Sequence, residues 1–186
     1  LPISKELAEL MDGSLSVFSK TGEGTTFRFS VILNKAEPEM EETTESLIIP
    51  WQRSPRILLV EDNIVNLKLA EKTLKSFKVD YLSCESGENA LKEIQKNNNF
   101  DLVLMDCQMP GMDGLETTRM IRKMNLLSNV PIVAFTANAL EGEIADCYKA
   151  GMNDYISKPF KKETFSEKLR KWLSHLIDDE NRPLAS

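Results

Sequence analysis

The chain has 186 residues, of which 41% are hydrophobic and 28% are charged, and its formal net charge is −6. This size and composition are typical of one soluble globular domain with extensions, or of one domain with a fragment of another. The acidic charge argues against nonspecific nucleic-acid binding, and the sequence contains neither a membrane-spanning apolar run nor a signal peptide. We therefore expect a cytoplasmic chain that contacts neither nucleic acid nor membrane, with an anchor upstream in the parent protein as an alternative.

The first 33 residues predict a helix followed by a hairpin. Apolar residues recur at helical spacing before Gly13, which ends the pattern; they are Ile3, Leu7, Leu10 and Met11. Strands are predicted over residues 14–19 and 25–33, with a turn at Gly22-Glu-Gly24. Because a helix and a hairpin alone bury little surface, this segment either docks on another domain or belongs to a larger one.

Residues 34–55 have the composition of an acidic linker. Five glutamates lie between positions 37 and 45, interleaved with proline and threonine, and the segment is poor in residues that form an apolar core. The apolar segment Leu47–Trp51 is the exception. It either docks on a neighbouring domain or forms an unstructured patch.

From residue 56 onwards, short apolar runs alternate with amphipathic segments. The runs predict five strands, at 57–60, 79–84, 102–105, 132–135 and 155–156. The segments with helical periodicity predict five helices, at 64–77, 90–94, 115–121, 140–147 and 165–176. Five strands alternating with five helices predict an α/β fold with a doubly wound parallel sheet that is covered on both faces.

The three cysteines do not have the spacing of a disulfide framework or of a zinc site. Cys84, Cys107 and Cys147 are an odd number without a CxxC pair. We predict reduced and mostly buried thiols.

The residues at the ends of the predicted strands carry the chemistry, because ligands of open parallel sheets bind outside the carboxyl ends of the strands. Three carboxylates, a hydroxyl and an ammonium group occur there: Glu61, Asp62, Asp106, Thr136 and Lys158. Without a metal the carboxylates would repel one another, whereas a hard divalent cation removes this penalty, and Mg²⁺ fits best. Each residue alone has an ordinary explanation as a helix cap, turn residue or surface lysine, but their joint placement favours a site.

Asp106 is the most informative of these residues. It follows the apolar run Leu102–Met105 and precedes a loop that is bent by Pro110, Gly111 and Gly114. A carboxylate in this position needs a metal or a cationic partner unless it is a helix cap or turn residue. With a metal screening its charge, Asp106 can attack phosphorus and carry an aspartyl phosphate.

Residues 56–177 resemble a response-regulator receiver domain. Four segments carry the resemblance in order and at family-like spacing: Ile57-Leu-Leu-Val-Glu-Asp-Asn63, Leu104-Met-Asp-Cys-Gln-Met-Pro-Gly-Met-Asp-Gly114, Phe135-Thr-Ala137 and Asp154-Tyr-Ile-Ser-Lys-Pro-Phe160. The resemblance implies the flavodoxin-like strand order 2-1-3-4-5. It also implies that Asp106 is the phosphoacceptor and that Lys158 contacts the phosphoryl group.

The resemblance further implies a metal site and a switch. The Mg²⁺ ligands it implies are Glu61, Asp62, Asp106 and the backbone carbonyl of Gln108. Many members of the family have Asp where this chain has Glu61, and the longer side chain leaves metal binding intact. On phosphorylation Thr136 would move toward the phosphoryl group and Tyr155 would turn inward.

Two further features follow from the same resemblance. The side chains of Gln108 and Asn138 occupy the variable positions that set how fast water reaches the aspartyl phosphate. The Lys158–Pro159 peptide bond is expected to be cis.

Residues 1–33 resemble the end of the ATP-binding domain of sensor histidine kinases. Leu1-Pro-Ile-Ser-Lys-Glu-Leu7 is similar to the helix after the ATP lid, and the segment from Gly13 to Phe29 is similar to the closing hairpin. The asparagine and glycine motifs that bind ATP in that family are absent from this sequence. The two resemblances together imply the C-terminal part of a hybrid histidine kinase, divided into a kinase fragment, a linker, a receiver domain and a polar tail: 1–33, 34–55, 56–177 and 178–186.

The main functional hypothesis is a Mg²⁺-dependent phosphoacceptor of a two-component phosphorelay. Its phosphodonor would be the phosphohistidine of a histidine kinase domain, in cis or in trans, and its phosphate would be lost by slow autodephosphorylation or passed to a histidine phosphotransfer protein. The alternative is an interaction module that regulates its own kinase without phosphorylation. A third hypothesis, an ATP-dependent kinase, is disfavoured because the ATP motifs are missing and because no dimerisation-helix motif surrounds the single histidine, His175.

Overall fold

A computed structural model describes residues 2–33, 49–137 and 140–178. The chain divides into two compact units, residues 1–44 and 45–186. Within the described ranges, no helix combines the length and the apolar character that crossing a bilayer requires. The predictions for most of the acidic linker, for Asn138 and for most of the polar tail lie outside the described residues.

The first unit is a helix followed by an antiparallel hairpin, as the sequence predicts. Its elements are α1 (Pro2–Leu10), β1 (Ser14–Lys20) and β2 (Gly24–Ser30). The prediction that the second strand extends to residue 33 is wrong, because β1 begins at Ser14, which pairs with Ser30. The chain beyond Ser30 therefore has no further partner residue on β1, and the Ile32 amide donates to the carbonyl of Met11 instead (3.2 Å).

The second unit is a five-stranded parallel sheet with helices between the strands. The strands are β3 (Arg56–Val60), β4 (Asp80–Cys84), β5 (Leu102–Asp106), β6 (Ile132–Thr136) and β7 (Asp154–Ser157). The helices are α2 (Ile64–Ser76), α3 (Gly87–Lys96), α4 (Gly114–Met124), α5 (Glu141–Ala150), α6 (Lys162–Trp172) and a short 3₁₀ helix, Ser174–Leu176. The strand order is β4-β3-β5-β6-β7, which confirms the doubly wound fold and the order 2-1-3-4-5.

Several predicted boundaries differ from the observed ones. Asp106 and Thr136 are the last residues of their strands rather than the first residues of the following loops. Leu140 precedes α5 and is 64% exposed, so it is not part of that helix's apolar face. The last predicted helix ends at Trp172, and His175 lies in the separate 3₁₀ helix.

The sheet separates two apolar layers. Alternate residues of β3 point to opposite faces: Ile57 and Leu59 pack on one side, and Leu58 and Val60 on the other. All four side chains are fully buried. Each such side chain stabilises the fold by roughly 1.5–3 kcal/mol relative to an exposed one, so the strands are held firmly in register.

The end of the predicted linker packs on the second unit. Ile49 is buried in the core layer that contains α2 and α6. The indole Nε1 of Trp51 donates to the carbonyl of Phe77 at 2.9 Å, and Trp51 also forms an antiparallel bridge with Ile177. Of the two alternatives for the apolar segment, packing against a domain is therefore the one that the structure shows for Ile49 and Trp51.

Glycine is required where α4 begins beside the end of β5. A Cβ atom on Gly114 would lie 1.9 Å from the carbonyl oxygen of Asp106, closer than any side chain allows. The carboxylate of Asp113 caps the helix by accepting the amide of Glu116 at 2.7 Å. The loop after Asp106 is therefore folded tightly against the strand that carries this carboxylate.

Candidate functional site

The candidate site lies at the carboxyl end of the parallel sheet. The strand ends are nearly level, since Asp106 pairs with Phe135 and Thr136 pairs with Ser157. A cleft of about 300 Å³ opens there, lined by Glu61, Asp62, Asn63, Asn66, Asp106, Gln108, Ala137 and Lys158. Five of the residues that the sequence predicted for the site thus border one cleft.

Three carboxylates form the acidic part of this cleft. Glu61 and Asp106 are buried, with 1% and 4% of their surfaces exposed, whereas Asp62 is exposed. One oxygen from each carboxylate lies within 4.8 Å of the other two. Burial and the charge of Asp106 raise the pKa of Glu61, against hydrogen bonds from Lys158 and Asn66 that lower it.

Lys158 is the cation that faces these carboxylates. Its Nζ atom lies 2.7 Å from Oε2 of Glu61 and 2.9 Å from Oδ2 of Asp106. Burial lowers the pKa of this amine, but the hydrogen bonds to the two carboxylates outweigh burial and raise it above its ordinary value. The Lys158–Pro159 peptide bond that follows is cis, as expected.

The charges in the cleft do not balance. Three carboxylates converge near one ammonium group, and two of the three are buried. Their oxygens are hard donors that suit Mg²⁺ or Ca²⁺ better than softer metals. The residues present therefore fit a hard divalent cation.

Asp106 is held in place through both of its oxygens. Oδ1 accepts the backbone amide of Gln108 at 3.2 Å, and Oδ2 faces Lys158. The side chain of Gln108 is exposed. The Asp106 carboxylate is thus held within the cleft by contacts to both of its oxygens, and the neighbouring Gln108 side chain is exposed.

Thr136 and Tyr155, the predicted switch residues, lie near but not within this cluster of charges. The Thr136 hydroxyl donates to Oε2 of Glu143 on α5, at 3.3 Å. Tyr155 is partly buried against the core layer that includes α5, and Nζ of Lys168 lies 5.4 Å from its ring centroid.

Thr136 also lines a second cleft of about 190 Å³, together with Cys107, Gln108, Asp113, Leu115, Glu143, Asp146 and Cys147.

The structure adds two residues that sequence reasoning missed. Asn66 donates from Nδ2 to Oε1 of Glu61 at 3.0 Å, and Glu143 accepts from Thr136. Both lie in the first turn of the helix that follows a strand with a site residue at or just after its carboxyl end, α2 after β3 and α5 after β6. Polar residues in these first turns are the signal that the sequence offered.

The cysteines are free, in agreement with the sequence prediction. Cys84 and Cys147 are buried, and Cys107 is partly exposed. The sulfur atoms of Cys107 and Cys147 are 3.5 Å apart. Burial raises the pKa of both of these thiols.

Comparison with known proteins identifies the relatives of this chain. The response regulator receiver domain profile matches residues 57–170. The sensor histidine kinase GacS of Pseudomonas protegens is 37% identical over 155 residues, which are 82% of this chain and 16% of the relative. The autoinducer 2 sensor kinase/phosphatase LuxQ of Vibrio vulnificus is 35% identical over 178 residues, which are 94% of this chain and 20% of the relative. The chain therefore spans a fifth or less of the length of these two relatives.

Solved structures show the same architecture. The receiver domain of a sensor histidine kinase of Pseudomonas aeruginosa, with a magnesium ion coordinated in its active-site cleft, is 40% identical with a TM-score of 0.61, covering 66% of this chain and 99% of that chain. The receiver domain of Ssk1 of Saccharomyces cerevisiae, crystallised with the histidine phosphotransfer protein Ypd1, gives 27% identity and a TM-score of 0.63 over 71% of this chain and 96% of that chain.

Proposed function

The chain belongs to the response regulator receiver domain family, and we propose on this basis that Asp106 accepts a phosphoryl group in a Mg²⁺-dependent reaction. The observation that carries the proposal is the position of Asp106. This buried carboxylate ends a central strand, lies 2.9 Å from the Lys158 ammonium group and shares its cleft with Glu61 and Asp62. This arrangement supports the proposal, because phosphoryl transfer needs a nucleophile and groups that neutralise charge close together, and Asp106, Lys158 and the other carboxylates would take these roles.

The proposed metal ligands are the carboxylates of Glu61, Asp62 and Asp106 and the backbone carbonyl of Gln108. The excess of negative charge among these residues supports the assignment, as does the magnesium ion in the Pseudomonas aeruginosa receiver domain. Bound Mg²⁺ supplies charge neutralisation for the carboxylates and for the phosphoryl oxygens.

The side chains of the cleft perform the transfer. A carboxylate oxygen of Asp106 forms a bond to phosphorus while the bond from phosphorus to the donor breaks, and the electron pair of that bond leaves with the donor. Lys158 neutralises the negative charge of the phosphoryl group. Thr136 then exchanges its bond to Glu143 for one to a phosphoryl oxygen, and Tyr155 turns inward. Slow hydrolysis by water ends the phosphorylated state, at a rate set by the side chains of Gln108 and Asn138.

The proposed partners follow from the relatives of the chain. The donor is the phosphohistidine of a histidine kinase domain, in cis or in trans, and the acceptor is a histidine phosphotransfer protein. The sensor kinases among the relatives support the donor, and the yeast complex with Ypd1 supports the acceptor.

We assign the chain to a hybrid histidine kinase. Residues 1–33 would be the end of its ATP-binding domain, residues 34–55 a linker, residues 56–177 the receiver domain and residues 178–186 a tail. The match to LuxQ supports this assignment, since it covers 94% of the chain.

Incubation with acetyl phosphate and Mg²⁺ tests the proposal. The intact chain should gain one phosphate by mass spectrometry, and Asp106→Asn should gain none because the amide is not a nucleophile. Asp154→Asn is the matched control, since Asp154 is equally buried but lies at the other end of the sheet, and it should gain one phosphate. No gain by the intact chain, or a gain that survives Asp106→Asn, contradicts the proposal. Partner binding that a phosphoryl mimic such as beryllofluoride leaves unchanged would favour the phosphorylation-independent module.

A further inference from the structure

Two cysteines from different elements meet beside the phosphoacceptor. Cys107 directly follows Asp106, and Cys147 lies on α5, 40 residues later in the sequence. Their sulfur atoms are 3.5 Å apart. A disulfide needs about 2.05 Å between the sulfurs, so the two atoms would have to approach by roughly 1.5 Å to form one.

Of the two cysteines, Cys107 is the one that small reagents can reach. Both cysteines line the second cleft, which has a volume of about 190 Å³, and Cys107 is partly exposed. Cys84 provides an internal comparison because it is buried on β4 and is not among the residues that line this cleft. A small oxidant therefore reaches the Cys107 sulfur first.

We propose that Cys107 and Cys147 form a reversible disulfide when the protein meets a peroxide, and that this bond slows the phosphorylation of Asp106. The regulatory half of this inference rests on the proposed function. The disulfide half does not, since it concerns only the two thiols and their geometry.

The oxidation proceeds in two balanced steps. The Cys107 thiol first loses its proton, and the thiolate sulfur attacks one oxygen of the peroxide; the O–O bond breaks and the other oxygen takes up a proton, so that a sulfenic acid and an alcohol or water are formed. The Cys147 sulfur then attacks the Cys107 sulfur, the S–O bond breaks, and hydroxide leaves with the Cys147 proton as water. Two electrons pass from the two thiols to the peroxide, and a dithiol reductant reverses the change.

The bond would join two elements that both line the second cleft, the loop after β5 and α5. Cys107 lies between Asp106 and Gln108, at the base of the loop that supplies the proposed carbonyl ligand. Cys147 shares α5 with Glu143, which accepts the hydroxyl of Thr136. A covalent tie between this loop and α5 restrains both the loop and the movement of Thr136.

This restraint predicts slower chemistry at Asp106. Displacements near 1 Å in a reacting geometry cost up to a hundredfold in rate, so we expect the oxidised chain to take up phosphate about tenfold more slowly.

Peptide mapping tests the disulfide. The chain is treated with a small excess of hydrogen peroxide, free thiols are alkylated, and the digest is analysed by mass spectrometry. We expect a cross-linked peptide that contains Cys107 and Cys147 with the loss of two hydrogens, and an alkylated Cys84. The cross-link should persist in Cys84→Ser and disappear in Cys147→Ser. Oxidation of Cys107 to sulfinic acid without a cross-link, or cross-links through Cys84, would overturn the proposal.

Phosphate uptake from acetyl phosphate tests the regulation. The reduced, oxidised and re-reduced forms of the same natural-sequence chain are compared, so that the result does not depend on how a variant folds. We expect the oxidised form to be about tenfold slower, full recovery after dithiothreitol, and no slowing of Cys147→Ser or Cys147→Ala by peroxide. Equal rates for the cross-linked and reduced forms would overturn the regulatory half. No uptake by the reduced form would instead refute the proposed function, while the peptide map would still decide the disulfide.

Discussion

Two buried aspartates at opposite ends of the sheet have opposite charge surroundings. Asp106 ends β5, and Asp154 begins β7, and each is 4% exposed. Asp154 is surrounded by donors: Nζ of Lys168 and Nζ of Lys171 each lie 2.7 Å from one of its oxygens, and the indole Nε1 of Trp172 donates at 3.0 Å. Asp106 shares one lysine with Glu61, and the carboxylate of Asp62 lies near both.

The pKa shifts show the consequence of this difference. Burial alone would raise the pKa of Asp154, but its hydrogen bonds from Lys168 and Lys171 lower it to about 2. At the other end of the sheet, the pKa of Glu61 is raised despite Lys158. A buried carboxylate that is paired with two cations contributes to the stability of the fold. Buried carboxylates with too few cations around them are suited to binding a metal cation. Charge balance therefore separates the Asp154 cluster from the proposed phosphorylation site, although burial does not.

Removing the lysine from each cluster should produce the largest difference in phosphate uptake between the two clusters. Lys158→Ala should slow phosphate uptake by about a hundredfold or more, because a preorganised group that stabilises developing charge is lost. Lys168→Ala is the matched control and should keep uptake near that of the unchanged chain. The rates are measured with acetyl phosphate and saturating Mg²⁺. Similar rates for both variants would mean that Lys158 has only a structural role.

Metal binding should distinguish the two clusters next. Asp62→Ala should weaken Mg²⁺ binding by about tenfold or more, since even changes behind a direct ligand cost tenfold to a hundredfold. Asp62 is exposed, so the variant should fold. Calorimetric titration measures the affinity, and a rise in melting temperature with Mg²⁺ that a chelator reverses provides a second readout. Unchanged affinity in Asp62→Ala, or its loss in Asp154→Asn, would contradict the assignment.

The Asp154 cluster should make a pH-dependent contribution to stability. The pKa of Asp154 falls from an ordinary 3.8 to about 2 on folding. Its contribution is therefore complete above pH 4 and disappears as the pH falls from about 4 to about 2. At 1.36 kcal/mol per pKa unit, Asp154→Asn should lower the free energy of unfolding by about 2 kcal/mol at neutral pH.

Urea unfolding at pH 7 and at a series of acidic pH values checks this prediction. The curves of the two proteins should converge toward pH 2. A difference that does not depend on pH would show that the amide disturbs packing rather than charge.

The contact between Thr136 and Glu143 should have the smallest effect. Glu143→Ala removes one acceptor of the Thr136 hydroxyl, and a hydrogen bond of this kind contributes about 1 kcal/mol. Thr136 should then reach the phosphoryl group more easily, and phosphate uptake should rise about fivefold at most. Glu141→Ala, in the same turn of α5, is the control. Slower uptake in Glu143→Ala alone would show that this carboxylate assists the reaction instead of holding the hydroxyl away.

Much of the fold was predictable because it depends on local periodicity. The apolar runs and the helical spacing gave the order and type of every element in residues 56–172. Boundaries were less accurate, as at Leu140 and at the end of β2, because a strand or helix stops where its partner or its cap stops. The site was predictable in outline, since parallel strands bring Glu61, Asp106 and Lys158 to one edge whatever their side-chain rotamers.

The tertiary structure decided which side chains meet within that outline. The contacts of Asn66 with Glu61, of Glu143 with Thr136 and of the Cys107 and Cys147 sulfurs depend on the packing of helices on the sheet.

The sequence by itself determined that three carboxylates and a lysine share one end of a parallel sheet, because the alternation of strands and helices makes the strands parallel and brings their carboxyl ends to the same edge. Only the tertiary structure showed that two of those carboxylates are buried and that one lysine bridges them. It also showed that Asp154, another aspartate beside an apolar strand, is balanced by two lysines from α6. Burial and ion pairing arise between segments distant in sequence, so the charge balance that distinguishes Asp106 from Asp154 exists only in the folded chain.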